Sequence, residues 1–155
     1  MNDIKKAAQI IRSGGLVAFP TETVYGLAAD ANNEDAVLSI FAAKNRPTSN
    51  PLILHFADLP QALPYINEFP SVFKVLYKEF CPGPLTFIVE KSSVVSSFIT
   101  GGQQTVAIRF SAHPFLQKLL VKLDRPLAAP SANLYGQVSP TNASHVYQQL
   151  NGRIP

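Results

Sequence analysis

The sequence predicts an α/β (α+β) domain: a mixed parallel and antiparallel sheet with helices packed on it. Apolar runs of strand length alternate with amphipathic stretches at helical spacing, as in sheets whose strands are joined by helices. Two strand-length runs, residues 85–89 and 105–110, lie close together in the chain, which adds antiparallel pairing. A length of 155 residues, 46% hydrophobic and 15% charged, is enough for one sizeable core. It is also the opposite of the disordered signature of low hydrophobicity with high charge. A single domain spanning residues 1–155 follows.

Residues 3–12 place Ile4, Ala7, Ala8 and Ile11 at helical spacing, with Asp3 as N-cap and Gly14-Gly15 as the stop. Residues 16–19 form a short apolar run closed by Pro20, a buried strand that delivers Thr21-Glu22-Thr23 to a polar turn. Asn32-Asn33, followed by Glu34 and Asp35, opens a second helix that runs through Val37, Ile40 and Phe41 and ends near Lys44. Its acids suit the positive end of the helix dipole. Pro47 and Pro51 bracket a loop; residues 52–56 then read as strand, and residues 70–80 as helix through Val72, Phe73, Leu76 and Tyr77. Cys81-Pro82-Gly83-Pro84 is a turn, because its prolines lack the donors and dihedrals of regular structure. Strands follow at residues 85–89, 105–110 and 127–130, and a helix at residues 113–123. A last helix at residues 141–150 is capped by Thr141 and stopped at Asn151-Gly152. A further strand completing the sheet is expected beyond Pro155.

The formal charge of +3 and pI near 9.1 are compatible with nucleotide or RNA partners and diagnostic of neither. No run of five Lys or Arg occurs, so an anion site has to be folded from separated residues. Cys81 is the only cysteine, which excludes an intrachain disulfide and a thiolate metal cluster and fits a reducing cytoplasm. Residues 1–11 are amphipathic, and no window approaches about 18 continuous apolar residues. Neither a signal peptide nor a membrane span is indicated, and a cytoplasmic protein is expected.

Polar residues gather at strand exits, where loops of such sheets converge on one edge. Lys44-Asn45-Arg46-Pro47 sets two cations at a helix end, where Arg can grip phosphate oxygens bidentately and Lys can act as a point charge. The same pair would also serve simply to complement the helix C-terminal dipole. Ala129-Pro130-Ser131-Ala132-Asn133 joins small residues that permit close backbone approach to a hydroxyl and an amide that can donate to an anion, and is equally compatible with an ordinary turn. Ser139-Pro140-Thr141 opens a helix whose first amides form a second anion-friendly surface, or is only an N-cap with a nearby proline. His55, in an apolar strand, reads first as a satisfied core histidine and second as a ligand or base. Arg109 alternates with apolar neighbours and must reach solvent or pair with an anion, since an unpaired buried charge costs roughly several kcal/mol. A substrate carboxylate is one such anion. There is no P-loop, no G-x-G-x-x-G after a strand, no G-x-S-x-G elbow and no H-E-x-x-H, and the three histidines are scattered.

Six blocks stand in order. They are Phe19-Pro20-Thr21-Glu22-Thr23-Val24-Tyr25-Gly26-Leu27, Lys44-Asn45-Arg46-Pro47, Asn50-Pro51-Leu52, Pro82-Gly83-Pro84-Leu85-Thr86, Val106-Ala107-Ile108-Arg109, and Ala129-Pro130-Ser131-Ala132-Asn133 with Ser139-Pro140-Thr141. Together they resemble the YrdC-type threonylcarbamoyl-AMP synthase family, from about Leu16 to Thr141. The resemblance implies a twisted mixed sheet flanked by helices around a deep, basic concave cavity. It implies a nucleotidyltransferase that forms L-threonylcarbamoyladenylate and pyrophosphate from L-threonine, bicarbonate and ATP. The product would serve the N6-threonylcarbamoyladenosine modification of tRNA through separate transfer proteins. By resemblance, Lys44 and Arg46 carry catalysis and, with Asn50, Thr105, Ser131, Asn133 and Ser139, bind the nucleotide. Thr23, His55, Arg109 and Ala129 would surround threonine, with Arg109 on its carboxylate. Mg2+ would be delivered with ATP and held by few protein ligands, Glu22 being the nearest helper, and no metal site is expected among the residues themselves.

Two departures accompany the resemblance. Family members continue past this end with a Glu-Ser-Thr segment and a later Arg, so the resemblance implies a chain lacking the C-terminal part. Ser111 stands where the family commonly has proline, and Leu134-Tyr135-Gly136 varies the loop after Asn133. Two other functions compete. One is a non-catalytic RNA-binding module using the same basic cavity in direct contact with RNA, although most of the aromatic residues sit in apolar periodic segments and offer no base-stacking platform. The other is a carbamoyl-handling module like the related domain of hydrogenase-maturation carbamoyltransferases, which normally sits within much longer chains.

Overall fold

Six strands pair into one sheet in the order β1-β2-β6-β3-β5-β4: β1 (Val17–Phe19), β2 (Gly26–Asp30), β3 (Ile53–His55), β4 (Thr86–Glu90), β5 (Thr105–Arg109) and β6 (Leu127–Ala128). The computed structural model describes residues 2–154. Met1 and Pro155, the outer ends of the amphipathic start and of the chain's close, lie outside the described residues. β3 and β5 run parallel and the other neighbouring pairs antiparallel, so the sheet is mixed, as expected. The helices are α1 (Asn2–Arg12), α2 (Glu34–Lys44), α3 (Leu59–Ala62), α4 (Ser71–Phe80), α5 (Ser97–Thr100), α6 (Pro114–Leu123) and α7 (Ala143–Leu150).

Alternation along the strands divides the side chains between two faces. Leu54, Ile108, Val106, Phe87 and Ala128 point to one face, where Val37, Ile40 and Phe41 of α2, Phe73 of α4 and Ile99 of α5 cover them. Leu54 and Ile108 are 0% exposed, and burial of each contributes about 2–3 kcal/mol. On the other face, Phe19, Ala28 and Leu127 pack under α1 (Ala7, Ala8, Ile11) and α6 (Leu116, Leu119, Leu120, Leu123). These two helices cover only the half of that face built by β1, β2 and β6. The register places Ile53, Ala107 and Ile88 side by side on the remaining half, where Ile88 is 74% exposed. His55, Arg109 and Thr86 form the next row on the same open half.

The structure corrects several sequence expectations. β2 was not anticipated: Gly26-Leu27-Ala28-Ala29-Asp30 lacks β-branched or aromatic residues, and it is a strand because it fills the fully buried place between β1 and β6. The last helix is capped by Asn142, whose side chain accepts from the His145 N–H at 3.0 Å, and not by Thr141. Ser139-Pro140-Thr141 therefore precedes the helix without opening it, and the Pro140 carbonyl instead accepts from the Tyr25 N–H at 2.8 Å. Asp3 lies inside the first turn of α1. Asn33, by contrast, caps α2 through the Ala36 N–H at 3.1 Å. At the far end of α2, Asn45 takes a left-handed conformation (φ 52°); Lys44 before it is buried and Arg46 after it is half-buried.

Candidate active site

The segment after β6 is drawn between β2 and β3 by main-chain bonds. Leu27 N–H donates to the Pro130 carbonyl (2.9 Å), Ala132 N–H to that of Tyr25 (2.8 Å) and Ala129 N–H to that of Ile53 (2.9 Å). Such an approach needs small side chains, and Ala129 and Ala132 are both buried. Gly26 meets the same demand, because a Cβ there would stand 2.7 Å from the ring of Phe19. The β1–β2 loop is also folded on itself: the Thr21 hydroxyl donates to the Val24 carbonyl (2.6 Å) and accepts from the Thr23 and Val24 N–H groups (3.1 and 3.2 Å).

These segments enclose a cavity of about 240 Å³ on the open half of the sheet. Its walls are Thr21, Thr23 and Val24 from the β1–β2 loop, Ile53 and His55 from β3, Arg109 from β5, and Ala129, Pro130 and Ser131 after β6. His55 and Arg109 are neighbours in register at the carboxyl ends of the two parallel strands, where ligands of such sheets bind. The volume suits a small amino acid and falls below the ~300–1,000 Å³ of drug-sized pockets.

The anion that Arg109 requires is Glu22. Arg109 Nη2 donates to Glu22 Oε1 and to the Thr23 hydroxyl, each at 3.0 Å. The Ser111 hydroxyl donates to Glu22 Oε2. Burial alone would raise the Glu22 carboxyl, but Ser111, a backbone N–H and Arg109 together hold it below its ordinary value. Both oxygens of Glu22 are thus engaged within the protein, which opposes the reading of this residue as a metal helper. Among the described residues no group of three or more His, Cys, Asp or Glu is placed to hold a metal ion. His55 is 4% exposed, and burial first, then the charge of Arg109, press its pKa down to about 4, so it is a neutral imidazole at physiological pH. Its Nδ1, like Arg109 Nε, is buried without a hydrogen-bond partner.

Lys44 is 1% exposed, and its ammonium donates to the Ser131 carbonyl (2.5 Å) and to the Asn133 carbonyl. Desolvation, followed by the nearby charge of Arg46, lowers its pKa to about 8. The Tyr135 N–H returns a bond to the Lys44 carbonyl at 2.8 Å, so α2 and the loop after β6 are laced together. The Asn133 amide donates to Leu134 and Gln137 carbonyls, both at 2.8 Å. Arg46 donates to the carbonyls of Asn50 (3.4 Å) and Pro51 (3.0 Å), and Tyr135 lies 5.9 Å from its guanidinium.

Thr23, His55, Arg109, Ala129 and Ser131 therefore share one cavity, and Lys44 and Asn133 lie behind its Ser131 wall. Asn50 and Ser139 stand apart from these walls. Thr105 shares the face of Arg109 but sits four residues away along β5, about 13 Å at strand rise. Sequence reasoning missed Glu22 as the partner of Arg109 and Tyr135 as the neighbour of Arg46. The first was within reach, since Arg109 had to have an anion and Glu22 stood in a recognised block.

Known proteins share this sequence pattern and fold. A family model described as Telomere recombination, named for Sua5, YciO and YrdC, matches residues 9–155. A threonylcarbamoyl-AMP synthase of Pyrococcus abyssi is 52% identical over 97% of this chain and 44% of its own length. One from Vibrio vulnificus is 36% identical over 99% of this chain and 84% of its own length. The crystal structure of P. abyssi Sua5 complexed with L-threonine superposes with a TM-score of 0.96 at 52% identity, over 98% of this chain and 45% of that one. The chain thus spans less than half the length of the Pyrococcus relative. With the model matched over nearly its full length and the mixed sheet shared, the chain belongs to the Sua5/YciO/YrdC family.

Proposed function

We propose that this chain is the synthase body of a threonylcarbamoyl-AMP synthase, a nucleotidyltransferase that makes L-threonylcarbamoyladenylate from L-threonine, bicarbonate and ATP. The observation that carries the reading is that Thr23, His55, Arg109 and Ala129 line one cavity of about 240 Å³. The likeness of the whole chain to a Sua5 complexed with L-threonine supports it. Arg109 receives the threonine carboxylate, and the neutral His55 and the Thr23 hydroxyl offer polar contacts to the rest of the amino acid. The threonine amine adds to bicarbonate-derived CO2. An oxygen of the resulting N-carboxylate attacks the α-phosphorus of ATP, and pyrophosphate leaves. Lys44 and Arg46 supply the positive charge on the Ser131 side, with Asn50, Thr105, Ser131, Asn133 and Ser139 as further nucleotide contacts. Magnesium arrives as part of the MgATP substrate.

The product passes through transfer proteins to tRNA, in the cytoplasm. No helix among the described residues is long and apolar enough to cross a membrane. The test is pyrophosphate release from MgATP by the natural protein with threonine and bicarbonate added singly and together. Release that requires both, and that Arg46→Ala abolishes without loss of fold, is expected. Release indifferent to threonine would reject the reading.

A further inference from the structure

Ser111 lies just past β5, two residues beyond Arg109, and is 0% exposed. Its position is fixed by α6 and the turn leading into it. The Ser111 hydroxyl accepts from the His113 N–H at 3.2 Å, and its carbonyl accepts from the Gln117 side-chain amide at 2.6 Å. From this anchored place the hydroxyl donates to Glu22 Oε2, while Glu22 Oε1 takes Arg109 Nη2 at 3.0 Å. A Glu–Arg pair at a partly open surface is ordinarily weak, because two long side chains must give up rotamer freedom to meet. A buried hydroxyl that already holds the carboxylate removes much of that cost. The guanidinium is then oriented by two fixed acceptors, Glu22 and the Thr23 hydroxyl. Ser111 itself is not part of the cavity wall.

We propose that Ser111 is a positioning residue for threonine recognition: through Glu22 it holds the Arg109 guanidinium in the orientation that receives the amino acid's carboxylate. The inference rests on the synthase reading above.

The experiment compares the binding of L-threonine and of L-threonine amide, which lacks the carboxylate, by calorimetry on the natural protein and its variants. Ser111→Ala should weaken threonine about tenfold, the loss of one charge-assisted bond, with the amide unaffected. Ser111→Thr, which keeps the hydroxyl, should restore threonine binding. Glu22→Asp, one methylene too short to bridge Ser111 and Arg109, should reproduce the loss and serves if Ser111→Ala fails to fold. Equal weakening of both ligands, or no change in either, overturns the proposal while leaving the synthase reading standing. Failure of the unaltered protein to bind threonine at all overturns both.

Discussion

Acidification should destabilise this protein first through His55. His55 is held to about 4, against 6.5 in the unfolded chain, chiefly by burial and then by the charge of Arg109; Glu22 and a backbone bond at Ala129 oppose them only in part. Because the folded pKa is the lower, the unfolded chain takes up the proton first. Stability is therefore complete above pH 6.5 and is lost as pH falls toward 4. The gap between 6.5 and about 4, at ~1.4 kcal/mol per pH unit, amounts to about 3 kcal/mol, of which about 2 is gone near pH 5. Glu22 adds a loss of the same sign at lower pH, since its folded pKa lies below 4.5. The assay is urea unfolding near pH 7 and pH 5 for the protein and for His55→Gln, whose side chain does not titrate. The unaltered protein should lose about 2 kcal/mol more than the variant over that interval. Parallel losses would refute the reasoning, because they would mean that the imidazole gains its proton in the folded state.

Perturbing Lys44 and Gly101 gives further outcomes. Lys44, lowered to about 8, should give kcat/KM for MgATP a falling limb above about pH 8, which Lys44→Arg moves upward. Its effect on stability has the opposite sign: the unfolded lysine keeps its proton to 10.5, so resistance to urea should rise between about 8 and 10.5 and stay level in Lys44→Met. Gly101→Ala should destabilise the fold by about 2–4 kcal/mol, measured by urea unfolding, because φ is +59° there and the new Cβ would run into the Ser49 carbonyl oxygen. The displaced loop carries the carbonyls of Asn50 and Pro51 that receive Arg46, so KM for ATP should rise as well. A change below about 0.5 kcal/mol would show that the loop yields freely.

What was legible in the sequence was what periodicity or a strong local signal encodes. α1, α2, α4 and α6 carry apolar residues at helical spacing, and β3, β4 and β5 are short apolar runs. β2 was invisible because a central strand of Gly, Ala and Leu owes its state to its neighbours and not to its own side chains. The short helices α3 and α5 span one turn each, too little to show a period. At the site, the need of Arg109 for an anion followed from its alternation with apolar neighbours, but naming Glu22 required a loop and a strand end 87 residues apart to meet. The inward turn of Lys44 was hidden for another reason. Lys44-Asn45-Arg46 reads as a pair of open cations at a helix end until Ser131 and Asn133, far along the chain, are known to cover the Lys44 ammonium.

The partners of its cations set the charge of the two halves of the site. Arg109 is compensated by Glu22 at 3.0 Å, so the cavity around His55 and Arg109 carries little net charge, and His55 adds none. A zwitterionic amino acid is likewise neutral overall, and it can enter without adding an uncompensated ion to a partly buried place. Lys44 is met only by carbonyl dipoles of Ser131 and Asn133, and Arg46 by those of Asn50 and Pro51. Dipoles stabilise a cation without cancelling it, so positive charge persists on that side, where the proposed reaction brings a triphosphate. Exchanging the two arrangements would be costly. A carboxylate beside Lys44 would repel phosphate oxygens, and loss of Glu22 would leave the half-buried Arg109 without a charged partner. The placement of one carboxylate, Glu22, thus separates a charge-compensated half of the site from a half that stays positive.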